Sequence, residues 1–527
     1  MILFRFLNTL KFLKVSQIYW RFYYKIRSEY RKIIGFKYDI SKDSKSHTIK
    51  LIDSICIKGS YRNREFYFLN RSKSFDNAIN WNFSEFGKLW CYNLNYFEYL
   101  NYLSKHDGLY LINKYINDAS TIKSGMDPFP ISLRCVNWIK FLIKHNIKNK
   151  KIDDSLYAQY YILKDNFEFH LLGNHLLENA CSLLFGSYYF NDVNFYLQSK
   201  KYLLRELKEQ ILEDGGHFEL SPMYHQLILF RILECINIVK NNILFDKELL
   251  HFLETRAIKM LEWLESITYK NGNIPLFNDS AFCVAPNSNQ LFDYASNLKL
   301  KWKKQQSNFI PLKYSGYYKY QNTQYELIAD FGNIGPDYNP GHSHCDIFNF
   351  ELYYQKKPII VDTGTATYEN NTARMNLRSV LSHNTVIVNN TEQSEIWGSF
   401  RVANRANVYN VFANAKLLSG EHDGYAKKFG IVHKREFKVD SNSISIKDNL
   451  TTNCKATAFL HFHPLCRVEL KANCIVVDNF CKISFSSKEV CLQEYFYQPE
   501  FNKYIKAKKA CIVFEKNLNT EIVFEDS

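Results

Sequence analysis

Apolar residues change their period near residue 310, and that change restricts the chain to two unlike halves. From about Asn80 to Lys304 the pattern is helical nearly throughout, with long segments such as Asp154 to Phe190, Asn194 to Leu212 and Pro222 to Lys240 separated by short turns. A run of paired helices predicts a helical array or toroid. From about Leu312 the apolar residues come in short β-rich runs: Tyr325 to Phe331, Ile347 to Tyr354, Ile359 to Val361, Asn384 to Val388, Val408 to Phe412, Ile431 to Val439 and Ile444 to Ile446. Turn residues separate them (Gly332 to Gly341, Gly364, Asn389, Asn390, Gly420 and Gly424), which predicts a large antiparallel β-sandwich. The expected class is α+β in three parts: a basic helical arm and lead-in over 1–79, an α/α toroid over 80–310 and a β-sandwich over 311–527.

At 527 residues the chain is too long for one core. Its formal charge of +14 is unevenly placed, because residues 1–50 hold twelve Lys/Arg and three Asp/Glu, a local +9 that leaves +5 for the rest. That excludes a uniformly basic nucleic-acid binder. Only 19 Gly and 11 Pro exclude collagen-like and linker-like chains. The 13 cysteines are scattered without a CxxC and are expected to be mostly buried thiols. No uncharged apolar run approaches the roughly 18 residues needed to span a bilayer, and no export signal is evident. Residues 1–35 read as one basic amphipathic helix. Lys11, Lys14, Arg21, Lys25 and Lys32 are its cations, and its apolar surface includes Leu7, Leu10, Leu13, Ile18, Tyr19, Trp20, Phe22 and Tyr23. Such a helix docks on a membrane surface or an assembly partner, or packs on the body with a solvated basic face.

Four clusters could carry chemistry. In Gly173-Asn174-His175-Leu176-Leu177-Glu178-Asn179, Asn174 and Glu178 share a helix face with His175 beside them; the alternative is a polar packing pair. In Asp214 to His225, Ser221 suits an N-cap and Pro222 the first helical position, which puts Tyr224 in the first turn. The helix dipole there is expected to stabilise a phenolate and lower the Tyr224 pKa toward that of a general base, unless the ring merely packs. In Pro340 to Asp346, an extended strand would point His342, His344 and Asp346 the same way. Asp362 follows an apolar run and His383 opens another strand, so imidazoles and a carboxylate from three strands could converge on Zn²⁺. His-x-His also occurs on strand surfaces. In Asp127 to Trp138, Arg134 and Trp138 are i,i+4 on a helix, a cation beside an aromatic plane, suited either to an acidic sugar or to a structural stack.

Taken in order, Arg134 to Trp138, Asn174-His175, Asp214 to His225, His342-x-His344, Asp362 and His383-Asn384-Thr385 resemble the heparinase II/III family of polysaccharide lyases, particularly members from capsule and surface-polysaccharide loci. The resemblance spans roughly residues 80–400. It implies an incomplete α/α toroid followed by an antiparallel β-sandwich, and β-elimination at a hexuronic acid of an anionic polysaccharide. Asn174, with His175 nearby, would neutralise the uronate carboxylate. Tyr224 and His342 would divide the acid and base roles. His344, Asp362 and His383 match the metal positions, where a structural zinc would hold the strands that present His342. Arg134, Trp138 and Arg378 are expected to contact the sugar or its carboxylate. A C5-epimerase on the same scaffold, a zinc hydrolase and a non-catalytic glycan-binding assembly factor are the competing readings. The family's secreted members favour the periplasm, whereas cysteine usage and the missing signal favour the cytoplasm.

Overall fold

A computed structural model describes residues 2–38, 45–56, 60–76, 78–472 and 474–525. The arm is two helices rather than one, α1 (Ile2–Leu10) and α2 (Val15–Ile33). The break falls at Lys14, whose backbone is extended and whose N–H donates to Gln17 Oε1 at 3.0 Å, closing the first turn of α2. A small sheet, β1 (Ser60–Arg62), β2 (Glu65–Phe68) and β3 (Arg71–Ser74), lies in the lead-in segment, where the sequence shows no clear alternation.

The helical half runs through α3 (Lys88–Tyr96), α4 (Lys105–Asp118), α5 (Pro128–Lys144), α6 (Lys150–Asp165), α7 (Gly173–Phe190), α8 (Val193–Gln210), α9 (Pro222–Asn241), α10 (Glu248–Ile267) and α11 (Ser288–Asn297). Neighbours in sequence pack together, α7 on α8 and α9 on α10, while α5, α7 and α9 contact one another in succession. That arrangement is the incomplete α/α toroid, and it explains why α7 and α9 are buried on nearly every side. The segment Asp154 to Phe190 is not one helix. It breaks at Asn166–Leu172, where Leu172 takes φ +62° and Gly173 φ +57°.

The β half opens with a five-stranded antiparallel sheet in sequential order: β4 (Phe309–Leu312), β5 (Tyr317–Gln321), β6 (Tyr325–Asp330), β7 (Phe350–Tyr354) and β8 (Lys357–Ile360). Tyr317, Ile328 and Tyr353 of this sheet belong to the toroid's apolar core, and Tyr353 stacks on Tyr269 at 3.8 Å. Leu327, Phe350 and Leu352 join a second core shared with the strands of residues 408–524. The sheet is therefore buried on both faces and cements the two halves, with the buried Lys319–Glu326 ion pair among the aromatic and aliphatic residues on its toroid side. An eight-stranded and a four-stranded antiparallel sheet, the latter including β9 (Val386–Val388), complete the sandwich. No disulfide forms, and seven of the 13 cysteines are buried.

Candidate active site

The polar cluster sits at the seam. α9 begins as its sequence predicts: the Ser221 hydroxyl accepts from the Tyr224 amide at 3.2 Å, and Pro222 occupies the first turn. Leu220 before it is left-handed (φ +54°), and its carbonyl accepts from Asn278 Nδ2 at 3.0 Å and from the Tyr317 hydroxyl. Leu172 marks the start of α7 in a similar way. Left-handed non-glycine residues thus precede both helices that supply the site, held by their surroundings. At Gly173 (φ +57°) a Cβ would displace the side-chain ends of Asn339 and Glu219, and the left-handed backbone itself favours glycine.

Four of the expected residues gather here. Tyr224 and His342 stack face to face, with ring centroids 3.8 Å apart. His342 Nδ1 lies 2.9 Å from Asp279 Oδ2, and its Nε2 is 3.8 Å from Glu219 Oε2. Asn174 Nδ2 donates to both Glu219 oxygens, at 3.0 and 2.9 Å. His175 Nδ1 is 3.0 Å from Glu168 Oε1, and its ring is a third exposed. Burial opposes a charge on His175, but Glu168 and the field of Glu219 outweigh it and hold its pKa above the ordinary 6.5. Tyr368 donates its hydroxyl to that of Tyr224 at 3.3 Å.

Tyr224 departs from expectation. Burial, reinforced by the charges of Asp279 and Glu219, raises its pKa and outweighs the first-turn position. The phenol is therefore kept protonated and suits a proton donor better than a resting base.

Asp279 orients His342. It is fully buried, and Arg374 of the short helix α12 (Thr372–Leu377) grips both its oxygens, with Nη2 at 2.7 Å from Oδ2. Burial penalises its charge, yet Arg374 and the bonds from His342 and His344 hold its pKa well below the carboxylate range. An ionised Asp279 accepts from Nδ1–H of His342, which fixes the ring and turns Nε2 toward Glu219. Asp279, Glu219, Arg374 and Tyr368 escape sequence reasoning as individual residues. Glu219 lies inside the Asp214 to His225 run, but only the fold brings Asp279 and Arg374 together.

Several expectations are corrected. Pro340 to Asn349 is a loop of turns, not a strand, because Asn278 and Asp279 bond into it. His344 N donates to Asn278 Oδ1 at 3.0 Å, and Asp346 accepts from the Asn278 amide at 3.3 Å. Arg134 and Trp138 are core residues, both wholly buried. Arg134 donates to Gln159, to the carbonyls of Asn95 and Gly125, and lies 4.5 Å over Tyr115 rather than Trp138. Trp138 packs edge-on against Phe97 and Tyr115. Arg378 is also fully buried; it binds the carbonyls of Ser343, Gly398 and Ser399, so it braces the His342 loop instead of reaching a ligand. Glu178 is neutralised by Arg231 at 2.9 Å and plays no part in the cluster.

His344 and His383 approach to 5.2 Å between ring centroids. Each has one nitrogen held by a carboxylate, His344 Nε2 by Asp279 at 2.9 Å and His383 Nδ1 by Asp362 at 2.7 Å. The other nitrogens, His344 Nδ1 and His383 Nε2, are buried without a partner. Orphaned imidazole nitrogens backed by carboxylates are the chemistry of two metal ligands and their supports. Asp362 accepts from Asn349 at 2.5 Å and faces His383 through Oδ2, while its Oδ1 accepts only from the Gly364 amide at 3.0 Å. Among the described residues no three His, Cys, Asp or Glu side chains are grouped to hold an ion.

Comparison with known proteins places the chain. Residues 144–302 match the heparinase II/III N-terminus model and residues 304–524 the heparinase II/III-like C-terminal model. The heparin-sulfate lyase of Bacteroides stercoris is 24% identical over 55% of this chain and 45% of its own length, and that of Pedobacter heparinus 25% identical over 39% and 34%. The chain thus spans less than half the length of these curated relatives. A crystal structure of heparinase III superposes with a TM-score of 0.69 at 17% identity, covering 86% of this chain and 80% of that one. The Streptomyces coelicolor A3 chondroitin AC lyase shares the fold more distantly, with a TM-score of 0.52 at 7% identity, covering 84% and 75%. With the two family models together taking in residues 144–302 and 304–524, this chain belongs to the heparinase II/III family.

Proposed function

We propose that the protein is a polysaccharide lyase that cleaves a uronate-containing anionic polymer by β-elimination. The observation that carries this is the stacked Tyr224–His342 pair, an acid and an oriented base side by side at one cluster. His342 Nε2 takes the C5 proton, and the electron pair delocalises into the C6 carboxylate. The C4–O4 bond then breaks, the C4=C5 double bond forms, and the Tyr224 hydroxyl protonates O4. Solvent then removes the proton from the imidazolium and restores one to the phenolate, and Asp279 stabilises the cation meanwhile. The uronate carboxylate is met by His175 as a cation and by the Asn174 amide, for which it competes with Glu219. Relatives named heparin-sulfate lyases support the same substrate class.

Adjacent acid and base suit a proton and a leaving group on the same face of the sugar, as at C5 and C4 of a glucuronate. The test is a panel of glucuronate and iduronate polymers, read by the ultraviolet absorbance of the unsaturated product and by deuterium at C5. Absorbance from glucuronate polymers is expected. Deuterium incorporation without cleavage would overturn the lyase in favour of an epimerase.

His344 and His383 would hold a structural zinc, which when bound would tie the His342 loop to the segment leading into β9. Metal analysis of the purified protein is expected to find zinc, and chelation to lower the thermal midpoint. A chain with no metal and an unchanged midpoint would remove zinc from the reading. Action within capsule or surface-polysaccharide metabolism belongs to the same proposal.

A further inference from the structure

The helix α2 is inside out. Its polar and mixed residues face the body. Gln17, only 2% exposed, bonds loop carbonyls, Arg27 and Arg31 reach Asp165, and Tyr24 donates to the Phe167 carbonyl at 2.5 Å. The opposite side carries Tyr19, Phe22, Ile26, Tyr30 and Ile33, at spacings of three, four, four and three, and they are 58%, 64%, 68%, 60% and 84% exposed. At 100° per residue they form one stripe about 80° wide. Leu3, Phe4 and Leu7 of α1 are exposed by more than half as well. Ordinary surface helices bury such a stripe, and a contiguous exposed one marks a contact surface.

Charge identifies the occupant. Residues 1–37 hold nine Lys/Arg against the single Glu29. Arg5, Lys14, Arg27 and Arg31 pair with acids of the body, whereas Lys25 and Lys32, both exposed, flank the stripe on one side of α2, Lys32 with Glu29 at 2.7 Å. Aliphatic and aromatic side chains bordered by lysines are the composition of a helix lying in the headgroup region of an anionic bilayer. A polyanionic sugar would match the lysines but leave Ile26, Ile33 and Leu7 in water. No helix among the described residues is long and apolar enough to cross a membrane, so the contact is in the plane of the surface. We infer that α1 and α2 form a peripheral docking surface for an anionic lipid bilayer, with the α2 stripe inserted among the headgroups.

Co-sedimentation of the full chain with vesicles tests this, using phosphatidylcholine alone and phosphatidylcholine containing roughly a third phosphatidylglycerol. Binding to the anionic vesicles, weakened by added salt, is expected. The triple variant Phe22→Ser, Ile26→Ser, Ile33→Ser is expected to lose about tenfold or more in partitioning with an unchanged thermal midpoint. Lys25→Glu with Lys32→Glu should weaken binding to the anionic vesicles only. If the triple variant does not fold, Ile33→Asp alone reports the same contact. A parent protein that stays in the supernatant with both vesicles, or a stripe-dependent dimer that does not bind them, would overturn the inference. So would a triple variant that binds as well as the parent.

Discussion

In the proposed reaction the Tyr224 hydroxyl hands its proton to the leaving oxygen, and Tyr224→Phe removes it while keeping the ring against His342. Turnover is expected to fall about a hundredfold or more with little change in KM, measured by release of unsaturated product. His175 supplies a test by pH. Its pKa is raised in the folded protein, so the protonated form is favoured and the cation that meets a carboxylate is present below that pKa. KM for an acidic polymer should therefore rise as pH increases through the raised pKa, and His175→Gln should flatten that dependence. The stability from the Glu168 pair has the same sign: complete below the unfolded value near 6.5 and lost as pH climbs through the folded one. Asn174, His175, Tyr224 and His342 were legible because each lies in a local motif. Asp279 was not, since its partners His342 and Arg374 lie 63 and 95 residues away in sequence. Arg134 misled for a related reason. An arginine four residues before a tryptophan looks like a sugar platform, but three buried acceptors elsewhere in the toroid satisfy it.

At the scale of elements, the arm does more than cover the toroid. Gln17 Nε2 donates to the Leu171 carbonyl at 3.2 Å and to the Tyr338 carbonyl at 3.4 Å. The first carbonyl lies three residues before Asn174 and the second four before His342, so one amide fastens the loops that deliver both sides of the site. Gln17→Ala is expected to cost about 1–2 kcal/mol of stability and to reduce turnover more than that loss alone implies, measured by denaturant titration alongside steady-state kinetics. The helices α8 and α9 and the strands β6 to β9 follow from apolar pattern alone, whereas the strands beyond residue 450 were not singled out, their alternation being broken by exposed apolar residues such as Phe496. The 340–349 loop is not set by pattern either. Its extended look comes from the alternation of His342, His344 and Asp346, and its actual path is set by bonds to Asn278 and Asp279, which no local pattern encodes.

For the whole molecule, the buried Arg374–Asp279 pair joins a helix of the β half to the segment that leaves the toroid. Removing one partner strands a charge at 0% exposure on the seam. Arg374→Met is expected to destabilise by about 3–5 kcal/mol, while Arg374→Met with Asp279→Asn recovers part of that loss, as a double-mutant cycle in denaturant would measure. Both variants should lose turnover, because the carboxylate that orients His342 loses its Arg374 brace in the single variant and is replaced by an amide in the double. The two-part architecture was visible as a change of period; the seam itself was not, because it depends on a sheet buried on both faces, one of which carries the Lys319–Glu326 pair.

Gln17 also defines what can be exchanged among relatives. A chimera that joins this toroid to another β half would keep an amide gripping only one of its two loops. The transplantable unit is the arm together with both loops, and a graft that respects only the boundary between the halves would fold and yet turn over slowly.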